Sequence, residues 1–116
     1  MATQDDVIRF LREFKVKMGI FQIIFRDDRK KNSQALLDLD ITREKRKEII
    51  KDLELVDFTE GPLDDDLYGI ASMWVFGKTY KTDEIYIKIS MGRLNQQVIC
   101  ISFHKAEHTM IYPFKV

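Results

Sequence analysis

Tyr86, Lys88 and His104 are residues whose types fit one chemistry. A phenol, an ammonium and an imidazole together supply what cleavage of an RNA phosphodiester needs. One group orients the 2′-hydroxyl or takes its proton, another places fixed positive charge on the phosphate, and a third protonates the departing 5′-oxygen. Tyr86 and Lys88 lie in the run Glu84-Ile85-Tyr86-Ile87-Lys88-Ile89-Ser90, and His104 ends the run Gln97-Val98-Ile99-Cys100-Ile101-Ser102-Phe103-His104. Alternation in the first run sends Ile85, Ile87 and Ile89 to one side of a strand and Glu84, Tyr86, Lys88 and Ser90 to the other. In the second run Ile99, Ile101 and Phe103 match the apolar side, leaving Val98, Cys100, Ser102 and His104 opposite. If the loop Gly92-Arg93-Leu94-Asn95-Gln96 closes a hairpin with Met91 facing Gln97, Tyr86 falls opposite Ser102 and Glu84 opposite His104. Tyr86, Lys88, Ser102 and His104 then share one open face. The same types are also ordinary composition for the solvated side of an antiparallel sheet.

Other catalytic templates find no support. The chain has no Gly-rich phosphate loop and no serine between glycines at a strand-to-helix turn. Cys100 and His104 lie four residues apart on a strand, about 13 Å, too far for a dyad. His104 and His108 would share a metal only on a helix, and here a strand is ending, so no metal is expected. Asp64-Asp65-Asp66 lacks the ligand spacing and internal glycine of a calcium loop. Cys100 is the only cysteine of the chain. This excludes an intramolecular disulfide or a thiolate zinc cluster, fits a reducing compartment, and reads as a small apolar residue in a strand. No cofactor is expected.

The elements that must position these groups follow from periodicity. Val7, Ile8, Phe10, Leu11, Phe14 and Met18 recur at spacings of three and four, which predicts an amphipathic helix over 4–18, ending near Gly19. Ile20 to Phe25 is β-branched and aromatic and predicts a strand covered on both faces. Asn32 or Ser33 caps a short helix carrying Ala35, Leu36, Leu37 and Leu39. Thr42 caps another through Leu53, with Arg43, Lys45, Arg46, Lys47 and Lys51 on its outer face. Residues 54–69 read as loop, because Gly61-Pro62, the aspartate run and Gly69 interrupt any period. From residue 71 onward the period is two, and three consecutive strands follow. The expectation is a single domain over 1–116 of the α+β class. Its N-terminal helices, with one strand after the first, pack on a C-terminal antiparallel sheet.

Composition is globular, with 45% hydrophobic and 33% charged residues in 116. No apolar run is long enough to span a bilayer, and the first residues are acidic where a signal peptide is basic, so a cytoplasmic protein is expected. The formal net charge is zero. Residues 1–51 nevertheless carry 13 Lys+Arg against 9 Asp+Glu, residues 52–66 carry none against 7, and residues 67–116 carry 6 against 3. One acidic segment cancels an otherwise basic body, and affinity for nucleic acid follows the local patch instead of the sum.

The order of several motifs resembles the MqsR-type toxins. They are Gln34-Ala35-Leu36-Leu37, Ile49-Ile50-Lys51-Asp52-Leu53 followed by Val56-Asp57-Phe58, the strand containing Trp74, Glu84 to Ile89, and Ile101-Ser102-Phe103-His104-Lys105. MqsR-type toxins are bacterial type II toxin–antitoxin proteins with a RelE/ParE-like fold. The resemblance spans about residues 7–105. It implies a metal-independent endoribonuclease that cleaves mRNA and is held inactive by a cognate antitoxin encoded beside it. Tyr86 stands at the family's tyrosine, and His104 stands where the pattern has a lysine. Thr59-Glu60 replaces a tyrosine and lysine, and Val75 replaces a glutamine. A carboxylate in place of a lysine beside the phosphate repels RNA. Lys78, Arg93 and Lys105 are therefore the candidate phosphate-binding cations, beside Tyr86, Lys88 and His104 as catalytic groups. Tyr112 offers a stacking surface for a base, or forms with Pro113 and Phe114 a hydrophobic clasp over the core.

Two functional classes follow. In one, the chain is a ribonuclease toxin whose partners are mRNA and an antitoxin. In the other it is a non-catalytic protein-binding module, either a ParE-like gyrase poison or a regulatory relative whose nuclease site has decayed. Either is compatible with a homodimer, and neither needs a membrane or a small-molecule cofactor.

Overall fold

Thr3 accepts a hydrogen bond from the Asp6 N–H while the Asp6 carboxylate accepts the Thr3 N–H, and this reciprocal cap starts α1 (Gln4–Phe21). A computed structural model describes residues 2–64 and 71–115 of the chain. Val7, Phe10, Leu11, Phe14 and Met18 form the buried face of α1, as their spacing predicts. The helix continues past Gly19 and stops at Gln22, whose φ of 72° breaks the helical path while its N–H still reaches the Met18 carbonyl. The expected strand over 20–25 is accordingly only β1 (Ile23–Phe25), and Ile20 lies exposed on the helix.

Next come α2 (Lys30–Asp38) and α3 (Arg43–Lys51). Thr42 caps α3 by accepting the Lys45 N–H at 3.0 Å, as expected. The other cap is corrected: α2 begins after Arg29 with no side-chain cap, and Asn32 points inward. Arg46 is corrected too. It is 2% exposed and lies beneath α3 instead of on its basic outer face. Its guanidinium sits 3.6 Å from the centre of the Phe25 ring and donates to both Asp27 oxygens at 2.7 and 3.1 Å. Helical periodicity records only charge at position 46, so a partly buried ion pair with a residue 19 positions away is invisible to it.

After a 3-10 turn at Leu55–Asp57 come β2 (Phe58–Leu63), β3 (Met73–Tyr80), β4 (Asp83–Ser90) and β5 (Val98–Lys105), in the sheet order β1-β5-β4-β3-β2. Among the described residues, three helices on one five-stranded sheet confirm the α+β class. Two corrections apply to the sheet. It is mixed, because β1 runs parallel to β5. In addition, β2 lies inside the segment read as loop; of that segment, residues 65–69 fall outside the described residues. Neither feature leaves a local trace. Strand direction is not encoded in a three-residue run, and β2 is an edge strand with two register irregularities between Phe58 and Leu63.

The core lies between the helices and one face of the sheet, where Phe76, Ile87 and Phe103 form one cross-strand row. Phe10 of α1 stacks on Trp74 at 4.5 Å between ring centres, and Phe58 of β2 meets Phe76 at 5.8 Å. Among the described residues no helix is long and apolar enough to cross a membrane.

The β4–β5 register departs from expectation in a way that decides the site. Ser90 pairs with Ile99 and Ile89 with Cys100, but Lys88 pairs with Ser102 and Tyr86 with His104. One extra residue, Ile101, is thus accommodated in β5 as a bulge. Before the bulge the faces are reversed from those predicted, so Val98 and Cys100 belong to the core and Ile99 does not. Burial pushes the Cys100 thiol up to about 12, against a smaller opposing pull from Arg46.

The bulge is held from outside the ladder. The Ile101 carbonyl accepts Asn32 Nδ2 at 2.8 Å and an Arg29 guanidinium nitrogen at 3.0 Å. Asn32 Oδ1 accepts the Phe103 N–H at 3.1 Å, and Nδ2 also reaches the Arg26 carbonyl at 2.9 Å. Beyond the end of β1, the Asn32 amide therefore satisfies β5 as a neighbouring strand does. Asn32→Ala should lower the unfolding free energy by about 2–4 kcal/mol, since it orphans groups in a buried place. Asn32→Asp should be worse, because it removes both donors and turns a carboxylate toward carbonyl oxygens. Urea unfolding of the two variants checks this, and Asp destabilising less than Ala would contradict it.

Candidate functional site

Beyond the bulge, β4 and β5 present two rows on the sheet face away from the helices: Gly77, Tyr86 and His104, then Val75, Lys88 and Ser102. The Tyr86 and His104 rings stack with centres 5.3 Å apart at 14°, and Lys88 Nζ lies 5.9 Å from the Tyr86 ring centre. The three residues singled out for chemistry are therefore neighbours, in a closer register than the hairpin with Tyr86 opposite Ser102. Arg29 enters from the turn before α2 and donates to Ser102 Oγ at 3.1 Å.

These groups line a cleft of about 190 Å³, completed by Lys31, Glu107 and His108. His108 meets Tyr86 in an edge-type contact, with ring centres 6.3 Å apart at 61°. The Lys31 ammonium lies 2.8 Å from both Glu107 oxygens. That contact holds the Glu107 carboxyl below its usual range. His104 Nδ1 lies 2.9 Å from the Lys105 carbonyl. A carbonyl only accepts, so this bond places the proton on Nδ1 and leaves Nε2 as the atom that exchanges protons.

Tyr86 is a donor, not a base. Burial is the main cause that raises its pKa, the Glu60 carboxylate adds to it, and Arg29 opposes both. Its phenol keeps its proton at neutral pH.

The C-terminal strap crosses the rest of this face. The Ala106 N–H bonds to the Glu84 carbonyl, Met110 is buried, and Tyr112 lies over Gly77, where any Cβ would overlap the phenol ring. Tyr112 donates to Glu84 Oε2 at 2.7 Å, and Phe114 stacks on Phe58 at 5.5 Å. Of the two roles open to Tyr112, the clasp is the one its contacts describe. Between strap and β2 runs a groove of about 360 Å³, lined by Thr59, Glu60, Tyr86, His108 and residues 109–111 and 113.

The three cations named from sequence lie elsewhere. Lys78 is opposite Ile85, on the helix-covered face, and pairs with Asp57 at 3.0 Å. Lys105 shares that row and lies 3.8 Å from Asp83. Arg93 is in the loop at the far end of the hairpin, where its carbonyl accepts Lys17 Nζ at 2.7 Å. The cations at the cleft are Arg29, Lys31 and Lys88. The first two come from the helical half of the chain, and Arg29 meets Ser102 across 73 positions, a separation no local pattern bridges. Among the described residues no group of three His, Cys, Asp or Glu side chains is placed to hold a metal.

No protein-family model, curated protein or solved structure matches this chain.

Tyr112 shares the behaviour of Tyr86 more strongly. Burial comes first, then its bond to Glu84, and the charges of Glu84 and Asp57 add to the rise. With folded pKa values above the ordinary value of about 10, both phenols stabilise the fold fully below that pH, and their contribution falls as pH climbs above it. In an absorbance titration at 295 nm, the native phenolate signal should include two components displaced above pH 10. Tyr112→Phe should remove the more displaced one and Tyr86→Phe the other. All tyrosines titrating together near the ordinary value would contradict the packing of both rings.

Proposed function

We propose that this chain is a metal-independent endoribonuclease, the toxin of a type II toxin–antitoxin pair with a RelE/MqsR-like fold, acting on mRNA in the cytoplasm and inhibited by a cognate antitoxin. The observation that carries the reading is the meeting of Tyr86, Lys88 and His104 around one cleft that also receives Arg29. The order of motifs from Gln34 to Lys105 supports the toxin part of it.

Lys88 and Arg29 hold the phosphate, Arg29 being a permanent cation already oriented by Ser102 and the Ile101 carbonyl. The Tyr86 phenol donates a hydrogen bond to the 2′- or a phosphate oxygen and fixes the nucleotide in the attack geometry. His104, with Nδ1 tied to the Lys105 carbonyl, presents Nε2–H to the 5′-oxygen as the P–O bond breaks. Attack by the 2′-oxygen leaves a 2′,3′-cyclic phosphate on one fragment and a 5′-hydroxyl on the other.

A non-catalytic role as a protein-binding module draws on a specific feature, the Glu60 carboxylate in the groove beside Tyr86. It would disfavour an RNA backbone there and favour a basic protein segment.

Purified protein incubated with a long single-stranded RNA in chelator should give discrete fragments with cyclic phosphate ends. Tyr86→Phe or His104→Ala should slow their appearance by about a hundredfold, and Lys88→Met should mainly weaken RNA binding and its salt dependence. Intact RNA, or the same fragments at the same rate from both variants, would remove the nuclease reading. Retention of a protein partner by wild type and Tyr86→Phe alike, with no cleavage, would favour the binding module.

A further inference from the structure

Cleavage by the 2′-hydroxyl needs two proton transfers, and in-line displacement places them on opposite sides of phosphorus. The attacking oxygen must lose a proton where the leaving oxygen gains one across the atom. The cleft supplies an acid in His104. Its other members are poor acceptors for the second transfer. Tyr86 keeps its proton, Arg29 cannot lose one, Lys31 and Lys88 are ammonium groups with donors only, Ser102 has only an alcohol, and Glu107 is bound through both oxygens to Lys31.

His108 is the group that remains, and its position fits. It is exposed on the strap and meets the Tyr86 ring at a steep angle, with centres 6.3 Å apart at 61°, while His104 is stacked parallel to that ring. Tyr86 and His108 are also the two residues shared by the cleft and the neighbouring groove. A strand of RNA passing from one to the other runs past His108 and Tyr86, with His104 on the cleft side.

We propose that His108 is the catalytic base that takes the 2′-hydroxyl proton, paired with His104 as the acid on the other side of the scissile phosphate of a single-stranded RNA. The assignment rests on the nuclease reading above. A ring nitrogen of neutral His108 takes the 2′-hydroxyl proton as the 2′-oxygen electron pair forms the new O–P bond. The P–O5′ bond breaks with its electron pair going to O5′, which takes the proton from Nε2 of the His104 imidazolium. His108 ends as imidazolium and His104 as neutral imidazole. Returning both to their starting states needs only proton exchange with water, so no metal, oxidant or reductant enters.

The two roles separate with a dinucleotide whose bridging 5′-oxygen is replaced by sulfur, because a thiolate leaves without a proton. Wild type, His104→Ala and His108→Ala are compared on the oxygen and sulfur substrates, with circular dichroism to establish equal folding. His108→Ala should be about a hundredfold slower on both substrates. His104→Ala should be equally slow on the oxygen substrate and return to within about tenfold of wild type on the sulfur one. His108→Ala cleaving like wild type, or being the variant that sulfur restores, overturns the assignment. So does a hundredfold loss in Glu60→Gln with His108→Ala unaffected, which would give the base to the groove carboxylate. Wild type that leaves both substrates intact overturns the nuclease reading and this inference with it, whereas a cleaving wild type with an unimpaired His108→Ala overturns the inference alone.

Discussion

The bulge at Ile101 is the constraint on which the rest of the arrangement depends. Strand β5 has to satisfy two faces with one alternating sequence. Its first half sends Val98 and Cys100 into the core, and its second half sends Phe103 there. With Val98 and Cys100 inward, unbroken alternation would turn Ser102 and His104 toward the core and Phe103 away from it. One unpaired residue reverses the parity, so an apolar core and a polar site coexist on the same strand. The bulged carbonyl is then left without a ladder partner in a buried place, a cost of a few kcal/mol unless something donates to it. Asn32 and Arg29 do so, and in doing so they attach the α2 end of the chain to the site.

This attachment links stability to chemistry. Arg29 is held by the same carbonyl that defines the bulge and then continues to Ser102 Oγ, so the cation at the cleft is positioned by a structural hydrogen bond. A second anchor lies one turn of chain away. Arg46, buried against Phe25 and paired with Asp27, ties α3 to the segment between β1 and α2. Its Nε has no hydrogen-bond partner among the described residues. Pairs of this kind add little net stability against an apolar replacement, but losing one partner alone leaves an uncompensated buried charge. They fix where elements sit more than how firmly the chain folds.

The sheet face away from the helices is divided, not open. Gly77 leaves room for the Tyr112 ring, and the strap seated there covers the part of the face nearest β2 and β3. What remains uncovered is bounded by Tyr86, Lys88, His104 and the side chains that reach in from α2 and the strap. A cleft with fixed walls and cations arriving from two distant parts of the chain is a different object from a solvated strand surface of the same composition. The distinction is one of placement, and residue types alone do not carry it.

Much of this was readable locally. The spacing of Val7, Phe10, Leu11, Phe14 and Met18 specifies an amphipathic helix, Thr42 marks a cap, and the alternation of Ile85, Ile87 and Ile89 places Tyr86 and Lys88 together on the far face, because side-chain direction repeats every 3.6 or 2 residues. The same periodicity has no term for partners. It could not see that Arg46 is buried, that Asn32 completes a strand edge instead of a helix cap, that β1 runs parallel to β5, or that β2 pairs at all, since each depends on groups between 10 and 75 positions apart. The candidate site divides along the same line. Tyr86, Lys88 and His104 were chosen by their own strands. Their register was decided by a single bulge, and the placement of Lys78, Lys105 and Arg93 away from the cleft and of Arg29 and His108 at it was decided by how distant segments pack, which only the folded chain determines.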